Sequence, residues 1–486
     1  MKNSKSLFLL ALLFMVFIIV SGCATNPVTG KSQLMLVSES QELQMGKNLY
    51  PNALWAAEGG GGEYKDDRLK AYLRDVVMNI HAVSHRANLP IDFSIQDSSV
   101  PNAWAIPGYV VITRGLVAGL ESEAEFVFVM GHEIGHVSAR HSASQMSYGM
   151  LQQLGLGTAG TVFGGSLAGQ AGVALGALGS NLVMMKFSRN DELQADELGV
   201  RYMVKLGYDP NNAISAHKNL QKTADNYLKS LGKQTEERGF FEELMSTHPR
   251  TSVRIDEIQE IIKSVGPAAI KGDGTNRQVF MDMTADIRRA SAIYSSYYDK
   301  ALTEYKKKDY DKAESLLDTA ISKDNSQAAF YTLKGIIRIH KKDNSFAEQH
   351  LNRALAINPD YQPAMRGLGA LNYTTGNYQR AVEFLSRSLR FFPQDASSHF
   401  YLGMSYFRLK NYKSAIPYLK GFAEAQSAHP EVHGALGACY EGVNELAAAY
   451  NEYAMQVKIA PNNEFGRHAA SRMVVLRPVL LRQGYR

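Results

Sequence analysis

Hydrophobic and polar positions divide the chain into two parts with different periodicity. Before residue 263, four segments have apolar residues at helical spacing, and three shorter segments between them have the alternation typical of strands. The helical segments are 38–50, 66–83, 121–145 and 188–206, and the strand segments are 91–96, 102–106 and 109–113. Helices that flank one small sheet indicate an α+β domain.

An uncharged stretch, 146–185, separates the last two predicted helices and contains ten glycines. Frequent glycine disfavours a simple rigid helix. Three interpretations stay open: a buried or semi-mobile hairpin of a soluble domain, a flexible lid over a site, and a segment that dips into a membrane.

The second part of the chain repeats every 34 residues, after a linker predicted over 264–294. Small residues recur at one position of each unit, and alanines recur at a second position. The first series is Ala301, Gly335, Gly369, Gly403 and Gly437, and the second is Ala313, Ala347, Ala381, Ala415 and Ala449. This is the period of the tetratricopeptide repeat (TPR), in which small residues let two helices cross closely. We predict five TPR units over 295–462, which stack as an all-α solenoid.

The end of the chain, 463–486, is predicted as a capping helix with a basic tail, because it has five arginines and no acid after Glu464. The tail is either a solvated end or a contact with anionic lipid.

The beginning of the chain has the layout of a lipoprotein signal. Two lysines precede an apolar run, 7–20, which is too short to span a bilayer, and the Val-Ser-Gly-Cys that ends it resembles a bacterial lipobox. An ordinary secretory signal or an anchor helix is the alternative. We expect 1–22 to be removed and Cys23 to carry the lipid that holds the protein on a membrane. By resemblance to lipoprotein sorting, Ala24 suggests a periplasmic protein on the outer membrane.

Composition excludes several classes of protein. Apolar residues make up 45% of the chain and charged residues 20%, which argues against wholesale disorder and against a polytopic membrane protein. The net charge of +5 is too mild and too dispersed for a nucleic-acid surface. Two cysteines exclude a disulfide scaffold and a zinc ribbon.

The chemistry lies in the first part, where His132-Glu133-Ile134-Gly135-His136 matches HExxH. Positions i and i+4 share a helix face, so both imidazoles can bind one Zn²⁺ while Glu133 reaches the water on that metal. A catalytic zinc ion takes three protein ligands and keeps one open position, and Glu192 in the downstream helix can supply the third. Asp196, one turn later, can accept the free N–H of a zinc-bound histidine and fix its orientation.

Beyond these residues, the pattern Ser-Arg-x-x-Glu-x-x-Ala-Asp-x-x-Gly over 188–199 resembles the gluzincin metallopeptidases of the HtpX, Oma and CAAX prenyl protease type. With a lipoprotein signal before it and TPR units after it, the whole chain is similar to the periplasmic β-barrel assembly-enhancing proteases. The resemblance implies a zincin-like metallopeptidase domain, assigned to 23–263, with one Zn²⁺ per chain. It implies His132, His136 and Glu192 as metal ligands and Glu133 as general base.

The same resemblance implies roles for two further motifs. Asn102, Ala103, Trp104 and Ala105 match the family's edge strand, which would pair with the substrate backbone. Thr247-His248-Pro249 with Arg254 matches its late motif, so that His248 becomes a fourth ligand that holds the protease latent, or a donor that stabilises the transition state.

We therefore expect a membrane-tethered zinc endopeptidase that degrades misfolded or stalled envelope proteins, with the TPR units docking clients or outer-membrane assembly machinery. Its partners would be protein or peptide substrates and the membrane, and not nucleic acid. The alternative is a TPR chaperone or scaffold whose protease domain is dormant.

Overall fold

The computed structural model describes residues 23–56, 61–148, 187–232, 252–267 and 269–484. The predicted signal 1–22, His248 and nearly all of the uncharged stretch lie outside these ranges. Within them, no helix combines the length and the hydropathy needed to cross a bilayer. The chain divides into two compact units, Met1–Asp299 and Lys300–Arg486.

The first unit contains helices around a small sheet, as the periodicity predicts. Its strands are β1 (Cys23–Thr25), β2 (Ser32–Leu34), β3 (Asp92–Gln96), β4 (Ala103–Ile106) and β5 (Tyr109–Thr113). Its helices are α1 (Glu39–Ala56), α2 (Asp67–Ala82), α3 (Arg114–Gly119), α4 (Glu123–Ala139), α5 (Arg189–Leu206), α6 (Asn212–Ser230), α7 (Ser252–Val265), α8 (Arg277–Met283) and α9 (Ala285–Ile293). The predicted α+β class is confirmed.

The main sheet has the order β3-β5-β4, with β5 parallel to β3 and antiparallel to β4. The central strand β5 is a β-branched run whose residues 110–113 are buried, as expected for a strand covered on both faces. Gly108, at φ 90°, makes the turn that joins β4 to β5. Among the described strands, β4 pairs only with β5, so β4 is an edge strand of this sheet.

Helix α4 runs through the core of this unit, and every one of its residues is buried. Its first turn is capped by the Ser122 hydroxyl, which accepts a hydrogen bond from the backbone N–H of Glu125. The helix predicted to continue to residue 145 ends at Ala139, because Arg140 adopts the left-handed conformation at φ 58°. A separate helical segment covers residues 141–148. The break allows the chain after α4 to turn back across the helix end.

The linker predicted over 264–294 is wrong for its second half, since α8 and α9 occupy 277–293 and pack into the first unit. Phe280 of α8 and Ile287 of α9 are fully buried in the same core as α4. A short π-helical turn, Tyr294–Tyr298, continues α9. Glycine and aspartate near 266–274 signal a turn, but the apolar positions after them belong to the core of the domain.

A buried arginine holds this segment against the sheet. The Arg114 Nε donates to Asp97 Oδ1 at 2.7 Å, and Nη1 donates to Ser291 Oγ at 3.1 Å. The guanidinium also lies 3.7 Å above the ring of Tyr294. Burying a guanidinium is costly unless it is paired and hydrogen-bonded, so these contacts tie α9 and the π-helical turn to the loop after β3.

The second unit consists of antiparallel helix pairs that follow the 34-residue period. After α10 (Asp299–Lys306), its helices are α11 (Tyr310–Lys323), α12 (Ala328–His340), α13 (Asn344–Ile357), α14 (Gln362–Thr374), α15 (Tyr378–Phe391), α16 (Ala396–Arg408), α17 (Tyr412–Ala425), α18 (Val432–Gly442), α19 (Leu446–Ile459) and α20 (Glu464–Arg482). The repeating glycines lie where paired helices cross, since a Cβ on Gly369 would lie 2.4 Å from Leu385 and one on Gly403 would lie 2.7 Å from Leu419. The all-α solenoid is confirmed.

Asp299 should make the stability of the protein depend on pH. Burial raises the pKa of Asp299 to about 6 from its ordinary value of 3.8, although Arg114 attracts its charged form. The folded state therefore binds a proton that the unfolded state releases between about pH 4 and pH 6, and this carboxyl destabilises the fold increasingly as pH rises through that window. Asp299→Asn should stabilise the protein at pH 7.5 by up to about 3 kcal/mol, at about 1.4 kcal/mol per pKa unit.

Thermal denaturation between pH 4 and pH 8 measures the effect, with Asp286→Asn, an exposed aspartate of α9, as the matched control. A variant that is less stable than wild type at pH 7.5 would show that attraction to Arg114 outweighs the cost of burial.

Candidate metal centre

The two histidines of HExxH lie one turn apart on α4, and their rings point to the same place. His132 Nε2 and His136 Nε2 are 3.0 Å apart, and both side chains are buried. Burial lowers the pKa of His136 well below its usual value. A neutral imidazole presents a lone pair, which is the form that binds a metal.

Glu192 approaches this pair from α5. The helix begins at a capping box in which Ser188 and Asp191 satisfy each other's backbone N–H groups, and this places Glu192 in the first turn. Its Oε1 lies 3.4 Å from His136 Nε2, and its Oε2 lies 3.7 Å from His132 Nε2. One donor atom from each of the three side chains falls within 4.8 Å of the other two.

Small residues let α4 and α5 come close enough for this convergence. A Cβ on Gly135 would lie 3.2 Å from Ala195 Cα, and a Cβ on Gly131 would lie 3.2 Å from Gly199 Cα. Contacts this short leave room for a hydrogen atom at each glycine and for little else. Gly135 lies inside HExxH, and Gly199 ends the downstream motif. Each motif therefore contains a candidate ligand and a glycine that lets the other helix approach.

Asp196 connects the centre to a third helix. Its Oδ1 lies 2.8 Å from His132 Nδ1, and its two oxygens accept from Arg254 Nη2 at 2.6 Å and Nε at 2.9 Å. Burial alone would raise the pKa of Asp196, but Arg254 and His132 hold it well below its usual value. As an ionised acceptor, Asp196 fixes His132 with the proton on Nδ1, so that Nε2 carries the lone pair that can bind a metal.

Arg254, on α7, also reaches Glu192, since its Nη1 lies 2.9 Å from Glu192 Oε2. One guanidinium thus contacts the two buried carboxylates of α5, those of Glu192 and Asp196. This bidentate arrangement orients the two carboxylates relative to the histidines of α4.

The opposite side of His136 is held by residues after the break in α4. His141 Nδ1 lies 2.9 Å from His136 Nδ1, and His141 Nε2 lies 2.9 Å from Gln194 Oε1 of α5. The ring of Phe187 stacks on His136 at 4.0 Å between centroids. Because an amide oxygen only accepts, His141 carries its proton on Nε2 and accepts at Nδ1 from His136. This leaves His136 Nε2 available to a metal.

Glu133 lies in a cavity beside the ligands. Asn102 and Ala103 of the edge-strand segment line one wall, and His217 of α6 lines another. The rest of the lining includes Leu116, Phe128, Val129 and Leu220, which give the cavity an apolar side. A carboxylate, an edge strand and an apolar wall therefore meet next to the three donor atoms.

The donors present fit a divalent metal ion. Tetrahedral coordination at about 2.0–2.1 Å separates neighbouring ligand atoms by roughly 3.3 Å, close to the observed 3.0 to 3.7 Å. The described residues also bury three carboxyl side chains, Glu133, Glu192 and Asp196, around one guanidinium, and buried negative charge is costly unless a cation balances it.

Comparison with known proteins identifies this part of the chain, since residues 65–262 match the model of peptidase family M48. These residues are a peptidase family M48 domain. Tetratricopeptide repeat models match 298–362, 339–399 and 373–430 in the second unit. The M48 domain implies a bound metal ion, and His132, His136 and Glu192 can hold it.

Several relatives of known name match different lengths of the chain. The chain is 24% identical to the β-barrel assembly-enhancing protease of Escherichia coli K12 over 391 residues, which is 75% of this chain and 76% of that protein. The protein of the same name from Yersinia pestis is 23% identical over 76% of this chain and 78% of its own length. Mitochondrial metalloendopeptidase OMA1 of Schizosaccharomyces pombe is 27% identical over 48% of this chain and 65% of its own length.

The M48 domain brings most of the residues selected from the sequence to one place. Asp196 lies together with His132, Glu133, His136 and Glu192. Asn102 and Ala103 line the cavity beside them. Trp104 points the other way into the core, where its Nε1 donates to Gln96 Oε1 at 3.0 Å. His248 lies outside the described residues.

Three residues of the centre had no role in the sequence analysis. Arg254 was part of a resembling motif, while His141 and His217 were not singled out. His141 follows the left-handed break at Arg140, so helical periodicity from HExxH does not reach it. A search for buried histidines within ten residues of the motif would have found His141, but the sequence carries no comparable signal for His217.

Gly199→Ala in the M48 domain should weaken metal binding. The new Cβ would lie 3.2 Å from His132 N and from Phe128 O, so α4 and α5 must move apart. Overpacking of this kind costs about 1–3 kcal/mol, which corresponds to a roughly tenfold or greater loss of metal affinity if the strain falls on the ligands. Competition with a fluorescent zinc chelator measures that affinity.

Gly421→Ala in α17 of the second unit is the matched control, because its Cβ would meet only the movable side chain of His399 at 3.3 Å. Equal metal affinity in the two variants would contradict the importance of this helix contact.

Proposed function

We propose that the chain is a zinc-dependent endopeptidase of the bacterial cell envelope. The observation that carries the proposal is the convergence of His132, His136 and Glu192 beside buried Glu133, in a cavity that borders an edge strand. Two imidazoles and one carboxylate are the ligand set of catalytic zinc in known peptidases, with one position left for water or substrate. We propose one Zn²⁺ per chain.

A zinc ion held by His132, His136 and Glu192 would polarise the scissile carbonyl and would lower the pKa of a water molecule to near neutrality. Glu133 takes a proton from the attacking water and delivers it to the leaving amine. Its burial among apolar neighbours favours proton transfer over solvation of the carboxylate. Asp196 and His141 keep the two ligand imidazoles in the orientation that leaves each Nε2 unprotonated.

The substrate enters as an extended strand along β4. Its backbone pairs with 102–105, and the small side chain of Ala103 leaves room for it over the cavity. Recognition through backbone hydrogen bonds selects little by side chain, which suits a protease that removes many unfolded proteins.

The sequence and the relatives support a location and a role. We propose that Cys23 becomes lipidated and holds the protein at the periplasmic face of the outer membrane. The name of the assembly-enhancing relatives supports misfolded or stalled outer-membrane proteins as substrates. The TPR units of the second unit would then dock clients or the assembly machinery.

A TPR scaffold with a dormant protease domain is the alternative. The intact set of ligands and the intact Glu133 favour the peptidase. The two functions separate in cells that carry either wild type or Glu133→Gln, by comparing which envelope proteins accumulate as fragments. Equal fragments in both, with a phenotype lost only on deletion of the TPR units, would favour the scaffold.

Glu133→Gln should keep the metal and lose activity. Glutamine has nearly the same shape but cannot accept the proton, and loss of a general base lowers turnover at least about a hundredfold. Bound zinc is measured by atomic absorption, and turnover is measured on an unfolded protein substrate. Glu197→Gln, on the solvent side of α5, is the control and should behave as wild type. Undiminished cleavage with zinc retained would exclude Glu133 as the base.

His248→Ala separates the two roles that the resemblance leaves open. A histidine that occupies the fourth position keeps the protease latent, so its removal should raise the basal cleavage rate. A donor that stabilises the transition state should instead lower that rate roughly a hundredfold or more when it is removed. An unchanged rate would assign His248 to neither role.

A further inference from the structure

The last helix, α20, has an apolar surface on both of its sides. The inner side carries Ala469, Leu476 and Leu480, which are buried against the preceding helix pair. The outer side carries four large apolar residues that face solvent. Their exposed fractions are 75% for Val474, 50% for Val475, 37% for Val479 and 60% for Leu481.

This outer surface is unusual within the described part of the chain. Nine large apolar side chains are exposed there, and four of them fall within the eight residues 474–481 of this one helix. A helix face that no neighbouring helix covers usually presents polar residues to solvent. An apolar strip in this position therefore indicates a partner.

The charges around the strip are all positive. Arg467, Arg477 and Arg482 are exposed and, at 100° per residue, fall on the same side of α20 as Val474. Arg472 lies toward the inner side, where it pairs with Glu441. The helix contains a single acid, Glu464 in its first turn, and the sequence has none after it.

We propose that the outer face of α20, defined by Val474, Val475, Val479, Leu481 and the three exposed arginines, binds the surface of an anionic phospholipid membrane. Apolar residues flanked by arginine on one helix face are the pattern of helices that lie in the membrane interface. The valines and Leu481 enter the acyl boundary, while the arginines reach the phosphate groups through their long stems. The surface acts independently of the peptidase centre.

Two other occupants fit this face less well. A second copy of the chain would bring two sets of three arginines together, and like charges at an interface are repulsive. A different protein is the second occupant. The strip is only about 11 Å long, at 1.5 Å per residue, which is too short to supply the roughly 800 Å² that a stable protein interface buries on each partner. A membrane requires no shape complementarity and supplies the negative charge.

The test is sedimentation of the mature chain, residues 23–486 with Cys23→Ser to prevent acylation, with vesicles. Vesicles of equal parts phosphatidylglycerol and phosphatidylcholine should bind the protein, and vesicles of phosphatidylcholine alone should bind it roughly tenfold or more weakly. The double change Arg477→Gln with Arg482→Gln should weaken binding to the anionic vesicles by a similar factor. The double change Val474→Ser with Leu481→Ser should weaken binding to both kinds of vesicle.

Matched controls keep the result specific to α20. Val279→Ser removes a valine from α8 that is exposed to a similar extent, 53%, and Arg390→Gln removes an exposed arginine from α15. Neither should change vesicle binding. Equal binding by the α20 variants and these controls would overturn the proposal. So would a mass, measured by light scattering, that falls from dimer to monomer in the Val474→Ser, Leu481→Ser variant, because it would assign the face to a second copy.

Discussion

The close contact between α4 and α5 is the constraint on which the rest of the first unit depends. Both helices carry side chains that can hold a metal ion, and the donor atoms converge because Gly131, Gly135 and Gly199 let the backbones approach. A methyl group at any of them would meet backbone atoms at about 3.2 Å. Such packing holds the donor side chains of the two helices in a fixed position relative to each other.

The second constraint is electrostatic. Burying Glu192 and Asp196 in the core would be unfavourable without Arg254, which contacts both of them from α7. Removing one partner of a buried charge pair costs about 3–5 kcal/mol, so this guanidinium links the stability of the domain to the geometry of the metal centre. The same principle operates at Arg114, where a buried guanidinium ties α9 to the sheet.

The two units obey different folding rules. In the first, contacts between residues far apart in sequence decide the structure, as the positions of His217 and Arg254 illustrate. In the second, each helix pair packs mainly on its neighbours, so a local period suffices to predict it. Among the described helices, none covers the outer side of α20, where Val474, Val475, Val479 and Leu481 are exposed.

Elements that have a local signal along the chain could be predicted from the amino-acid sequence alone. Periodicity located α2, α5 and the three strands of the sheet to within a few residues. The 34-residue spacing predicted the solenoid. The HExxH motif with Glu192 predicted the three side chains whose donor atoms converge. The three-dimensional fold decided that α4 ends at Ala139, that 277–293 belongs to the core, and that Trp104 points away from the cavity. It also decided that His141, His217 and Arg254 gather around the ligands. These features depend on which distant surfaces meet, and a side chain's neighbours across the fold leave no periodic trace along the chain.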